Sequence, residues 1–263
     1  MTDRDVITEE AEGWTVVRLD RPEVRNAMRT QTWRQLGEAL DAVEVGETVG
    51  LILTGGDQWF SSGADLGEAG GSVAGAGPDS LWPSTARLRL AQRTIERMRA
   101  FPKPTIAAVE GYAIGVGWSI ALSCDLIVAS TTAFFAQPAA AAGMVADAGL
   151  VRDLCEAVGY RAATAMLLCG DRLTATDALS SGMLTSLSEP AGTLAAARGL
   201  AATISAIPDP VRFAVKSLLA AARGGADVGF LEHEAVAVAF NKLQPGHAAG
   251  RASFRQGTRF FRS

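Results

Sequence analysis

Between Val109 and Ser119 the chain reads VEGYAIGVGWS. Gly111, Gly115 and Gly117 fall close together, and the only nucleophile that follows them is the Ser119 hydroxyl. Glycines at this spacing let a backbone approach another group closely, so the chemistry on offer is that of peptide N–H and C=O groups. Side-chain chemistry is sparse elsewhere. Cys124, Cys155 and Cys169 form no CxxC and sit in apolar segments, which predicts free, buried thiols in a reducing compartment. His233 and His247 make no HxxxH or HExxH, which argues against a metal site and against a Ser-His-Asp triad. The acids of interest beside other glycines are Asp65 and Glu68 in SSGADLGEAGG, and Asp147 in GMVADAGL. Asp147 precedes AGLVRDLCEAV and suits a helix N-cap there.

A chain of 263 residues, 48% hydrophobic and 20% charged, can bury a sizeable core. Its net charge of −4 gives no electrostatic case for nucleic acid or an anionic membrane. Glu110, Asp125 and the three glycines interrupt the longest apolar run, Thr105 to Ala129, so it reads as buried core. The acidic start MTDRDVITEE does not resemble a signal peptide, and a cytoplasmic location is expected.

The elements follow from pattern. Val6–Glu9 and Trp14–Leu19 read as a hairpin. Trp33, Leu36, Leu40 and Val43 recur at helical spacing over Thr30–Val45, with Thr30 as cap and Gly46 as stop. Val49–Thr54, Thr105–Val109 and Asp125–Ala129 are apolar enough for buried strands, and a shorter strand is expected near Met183–Leu187. Helices are expected from about Ser80 to Ala100 and from Val116 to Ser123, the first with Arg87, Arg89, Arg93, Arg97 and Arg99 on its wet face. Strand–helix alternation predicts an α/β fold with parallel pairing, followed by a mostly helical portion from Leu150.

Four blocks in order carry a resemblance: LDRPEVRNAM (Leu19–Met28), LTGGDQWFSSGADL (Leu53–Leu66), KPTIAAVEGYAIGVGWSIALSCDLIVAS (Lys103–Ser130) and FFAQPAAAAGMVADAGL (Phe134–Leu150). The chain resembles the crotonase superfamily, the enoyl-CoA hydratase/isomerase family. The resemblance implies a crotonase (ClpP-like) spiral of ββα turns over residues 1–200 and a C-terminal helical trimerisation region over 201–263. It implies acyl-CoA substrates, no metal or redox cofactor (coenzyme A arrives as part of the substrate), and homotrimers that pair into hexamers in many members. CoA would lie against the backbone around Val24, Arg25 and Ala27, and around Ser62, Ala64, Leu66 and Gly115. The amides of Ala64 and Val116 would form an oxyanion hole for a thioester enolate, where a fixed donor lowers the barrier without reorganising.

The same resemblance exposes two losses. Hydratases of the family use two glutamates, and the matching positions here are Ser119 and Ala139. GMVADAGL instead resembles a segment of enoyl-CoA isomerases in which an Asp is the acid/base, which makes Asp147 the candidate. Acid/base work and helix capping both stay open for it. A Lys expected after the GAD turn is replaced by Gly67, while Arg251, Arg255, Arg259 and Arg262 offer an arginine stripe near the end. Asp65 reads as a loop-organising residue and Glu68 as a weaker second acid. The expectation is an enoyl-CoA isomerase using Asp147; the alternatives are a silent acyl-CoA-binding protein and an atypical hydratase.

Overall fold

The computed structural model describes residues 4–69, 81–223 and 230–244. In chain order it contains β1 (Val6–Ala11), β2 (Trp14–Leu19), α1 (Thr30–Val45), β3 (Leu51–Thr54), α2 (Leu66–Ala69) and α3 (Leu81–Arg99). Then follow β4 (Thr105–Val109), β5 (Tyr112–Ile114), α4 (Val116–Ser123), β6 (Leu126–Ser130), β7 (Phe134–Ala136), α5 (Leu150–Val158) and α6 (Tyr160–Cys169). The remainder is β8 (Leu173–Thr174), α7 (Ala175–Ser180), β9 (Ser186–Ser188), α8 (Thr193–Ser205), α9 (Asp209–Arg223) and α10 (Phe230–Lys242).

Six strands form one sheet in the order β1-β2-β3-β4-β6-β9, antiparallel only between β1 and β2. The hairpin runs two residues past the expected Glu9. Its turn is the pair Glu12-Gly13, both at positive φ, which suits strand twist and keeps Ala11 opposite Trp14. β3 and β4 are buried along their whole length, which is why they read as continuous apolar runs. α1 buries Trp33, Leu36, Leu40 and Val43, the residues its periodicity singles out.

A second sheet, β5-β7-β8, escaped the sequence reading because its strands are two or three residues long. It explains the spiral. β4 enters the large sheet, β5 the small one, and α4 follows; β6, β7 and α5 repeat the sequence of events. After β3, Ser61 bridges to Ala113 of β5 before the chain reaches α3, so the first turn has the same plan. The result is a mixed α/β fold built of ββα turns.

Several expectations are corrected. Thr30 does not cap α1. It is the first helical residue, and the Thr32 hydroxyl accepts the Arg29 N–H instead (3.2 Å). Arg99 is not on a wet face: its side chain is 8% exposed and pairs with Asp153 and Glu156 from α5. Arg97 reaches Asp41 and Glu44 of α1. Cys124 is buried as expected, but Cys169 is exposed. The chain divides into two compact units, Met1–Ala201 and Ala202–Ser263. In the second, α9 and α10 pack on each other. Arg251, Arg255, Arg259 and Arg262 lie outside the described residues. Among the described residues no helix is long and apolar enough to cross a membrane.

Candidate active site

The turn after β2 is held by Asn26, which is 2% exposed. Its Oδ1 accepts the Arg21 N–H (2.9 Å), and its Nδ2 faces the carbonyls of Gly55 (2.8 Å), Trp59 (3.2 Å) and Phe60 (3.2 Å). Arg25 and Asn26 both have φ near +55°, a region Asn tolerates better than most residues. One side chain thus ties the turn to the loop that follows β3. The sequence showed a turn here but not this anchor, because its partners are carbonyls some thirty residues away.

The two segments expected to face CoA then run side by side. The Ser62 N–H donates to Arg25 O (2.9 Å), Met28 N–H to Gly63 O (2.8 Å) and Asp65 N–H to Met28 O (3.0 Å). The Ser61 hydroxyl donates to Asn26 O (2.8 Å) and that of Ser62 to Val24 O (3.2 Å). Arg21 closes the arrangement, donating to Ala27 O (2.5 Å) and to Asp65 Oδ2 (2.8 Å). The Arg21 hydrogen bond holds the Asp65 carboxyl below its ordinary value, with help from the Gly67 amide. Asp65 therefore organises the loop, the role its GAD setting suggested. Burial alone would raise the nearby Asp5 carboxyl, but hydrogen bonds from Arg29 and Thr32 outweigh it and keep the group depressed.

Ala64 and Val116 meet through Ser61. Its N–H donates to Tyr112 O (3.1 Å), and its carbonyl accepts the Ile114 N–H (3.0 Å). A Cβ on Gly117 would lie 2.7 Å from the Ser61 Cβ, so glycine there permits α4 to rest on that strand. Gly115 differs: its surroundings are open enough for a Cβ, but its φ of +54° turns the chain into α4. Its carbonyl accepts from Trp118 and Ser119, leaving Val116 at the start of the helix. Among the described residues neither the Ala64 nor the Val116 amide donates to a protein acceptor.

Two cavities adjoin these amides. The larger, about 280 Å³, has Met28, Trp33, Leu88 and Ala91 on its apolar side, and Glu68 and Arg87 among its polar groups. The smaller, about 160 Å³, is lined by Ser62, Leu66, Gly115, Ala139 and Val145 among others. Among the described residues only Ala64, Val116 and Asp147 line both. Val24, Arg25 and Ala27 line neither and sit on the adjoining turn.

Asp147 is not a helix cap. The N-cap of α5 is Gly149, with φ +79°, and no side chain caps it. The residues Ala148 and Gly149, both at positive φ, separate the acid from the helix. Asp147 is exposed and lines both cavities, yet the surrounding walls partly desolvate the carboxyl. That desolvation raises its pKa, opposed by its own backbone amide and the charge of Arg87.

The other positions singled out by the sequence differ from Asp147. Ser119 is fully buried, its hydroxyl 3.4 Å from Gly115 O, and it lines neither cavity. Ala139 lines the smaller cavity but contributes only a methyl group. The Glu68 carboxylate accepts the N–H (2.7 Å) and hydroxyl (3.0 Å) of Thr30 at the start of α1, where the helix dipole favours an anion. Arg87 was expected on a wet face. It lines the larger cavity, and its Nη1 donates to Glu68 O (3.1 Å). Among the described residues no group of three or more His, Cys, Asp or Glu could hold a metal ion.

Residues 9–244 match the family described as Enoyl-CoA hydratase/isomerase. The probable enoyl-CoA hydratase echA6 of Mycobacterium tuberculosis is 37% identical over 196 residues, covering 74% of each chain. The 2,3-dehydroadipyl-CoA hydratase of Escherichia coli is 34% identical over 167 residues, 63% of this chain and 62% of that protein. Among solved structures, an enoyl-CoA hydratase from Polaromonas sp. JS666 superposes with a TM-score of 0.88 at 26% identity, covering 98% of both chains. The fold is that of the crotonases, and the chain belongs to the enoyl-CoA hydratase/isomerase family, which acts on acyl-CoA substrates.

Proposed function

We propose that the protein is an enoyl-CoA isomerase in which Asp147 carries a proton between two carbons of an enolate. The observation that supports this most is the junction of the two cavities. It offers two unengaged amides and one carboxyl of raised pKa, while both hydratase-type acid positions lack carboxyls. The Asp147 carboxylate removes a proton from C2 of a 3-enoyl thioester. The electron pair moves through the C1–C2 bond onto the thioester oxygen, held by the Ala64 and Val116 amides. As the carbonyl reforms, C2=C3 is made and the electrons of the old C3=C4 bond take the proton back from Asp147 at C4. One carboxylate serves as base and then as acid, and burial brings its pKa nearer to both tasks. An oxyanion donor of this kind contributes about 3 kcal/mol. CoA enters as part of the substrate, and no metal or redox group is needed for the step.

Hydration is the second reading, favoured by the names of the relatives. The two separate in one assay of the purified protein on 3-enoyl- and 2-enoyl-CoA. Isomerisation without 3-hydroxyacyl-CoA is expected. Hydration of 2-enoyl-CoA as the dominant activity would sink the isomerase reading, and binding of both without turnover would leave a silent acyl-CoA carrier.

The C-terminal helices also present exposed apolar residues, Phe213 and Leu219 on α9 and Val236 and Phe240 on α10. Crotonase-fold homologues are typically oligomers, and a face of this kind suits self-association. A homotrimer is the expected species. Light scattering should give the mass of three chains or a multiple of three; a monomer at micromolar concentration would count against it.

A further inference from the structure

Several buried or partly buried arginines in the larger unit hold carboxylates: Arg21 pairs with Asp65, Arg29 with Asp5, Arg97 with Asp41 and Glu44, and Arg99 with Asp153 and Glu156. Arg87 departs from this habit. Arg87 lines the larger cavity, and among the described residues its one hydrogen bond goes to a backbone carbonyl, Glu68 O. Among the described residues it forms no ion pair. A guanidinium carries a fork of N–H donors matched to a carboxylate, and most of them are unspent here.

The acids around it are committed elsewhere or needed for chemistry. Asp65 is taken by Arg21 and the Gly67 amide. The Glu68 carboxylate serves Thr30 at the start of α1. Asp147 feels the charge of Arg87 but forms no ion pair with it. The rest of the wall that the described residues form is apolar, with Met28, Trp33, Leu88 and Ala91 making a short sleeve suited to methylene groups. A plain alkyl chain in this sleeve would strip water from the guanidinium without replacing it, which is costly for a charged donor.

From Arg87 at the wall of this cavity, which pairs with no carboxylate among the described residues, we propose that the acyl group of the substrate carries a second carboxylate. The substrate class is the CoA monothioester of a short dicarboxylic acid, its free carboxylate seated on Arg87 while the thioester oxygen lies at Ala64 and Val116. This rests on the reading of the junction as the site of thioester chemistry, and it makes Arg87 a specificity-determining residue. The carboxylate adds a negative charge near Asp147, which favours the protonated form of that acid and suits the return of the proton.

Calorimetric titration with saturated thioesters separates recognition from turnover. Succinyl-, glutaryl-, adipoyl- and suberoyl-CoA are each compared with the monocarboxylic thioester of equal chain length, on the wild-type protein and on Arg87→Gln. At least one dicarboxylic member should bind about tenfold or more tightly than its counterpart. Arg87→Gln should erase that preference while leaving monocarboxylic binding within a few fold. If no member of the series is preferred, or if the preference survives in Arg87→Gln, the proposal is wrong. Failure of the isomerase reading is seen separately, as intact binding with no double-bond migration on any enoyl thioester.

Discussion

Replacing Asp147 by Asn should lower isomerase turnover by about 10³-fold while acyl-CoA binding is retained, because a general acid/base in the transition state is worth roughly 10²- to 10⁴-fold. The thioester oxygen and the CoA moiety would still meet the Ala64 and Val116 amides and the paired backbones at Ser62 and Arg25. The same substitution should stabilise the fold at neutral pH. The folded state raises the Asp147 pKa above its ordinary 3.8, so the folded chain holds this proton more tightly than the unfolded chain does. Ionisation therefore costs stability as pH rises above 3.8, and the cost is complete above the folded pKa. The amide of Asn carries no such cost. Thermal melts should show a higher midpoint for Asp147→Asn at pH 7, with the difference closing as pH falls toward 3.8. A midpoint unchanged or lowered at pH 7, or turnover within tenfold of wild type, would contradict the assignment.

The second large effect lies away from the chemistry. Arg99 joins α3 to α5 by pairing with Asp153, whose side chain is fully buried, and with Glu156 at 3.3 Å. Arg152 shares the Asp153 carboxylate at 2.9 Å and is itself half exposed. Removing Arg99 leaves a buried carboxylate with one partner at the edge of solvent. Breaking a buried pair from one side typically costs about 3–5 kcal/mol. For Arg99→Ala a loss of about 3 kcal/mol is expected, since Arg152 compensates in part, which lowers the melting midpoint by roughly 6–12 °C. The double variant Arg99→Met/Asp153→Leu should recover much of that loss, because an apolar pair needs no counter-charge. A single variant that melts like wild type would show that the pair contributes nothing. This pair also bears on function. α3 carries Arg87, and α5 begins three residues after Asp147, so loosening their contact should slow turnover as well.

The relation of sequence to structure differs by element. α1, β2, β4 and α4 were legible to the residue: α1 by its helical period, and β2, β4 and α4 by apolar runs bounded by glycine, proline or polar turn residues. The β5-β7-β8 sheet was not, since a strand of two or three residues has no period to read. At the site, the glycines around Ala64 and Val116 announced a close backbone approach, and the structure gives separate reasons for Gly115 and Gly117. Asp147 looked equally like a cap, because an Asp two residues before the N-cap and an Asp at the N-cap itself differ only in the φ of the residues between. Ala148 and Gly149 at positive φ decide it. Arg87 and Arg99 were placed on a wet face by composition alone. Which arginines of α3 turn inward depends on the helix that packs against them, and that information is not local.

Exchange of the α-protons of a 3-enoyl-CoA in heavy water, followed by proton NMR, tests enolate formation at Asp147 most directly. It needs neither product accumulation nor knowledge of the preferred acyl chain. The wild-type protein should replace the C2 protons with deuterium, and Asp147→Asn should do so no faster than buffer. Equal exchange by both proteins, or none by the wild type with bound thioester, would mean that the junction of the two cavities does not perform this chemistry.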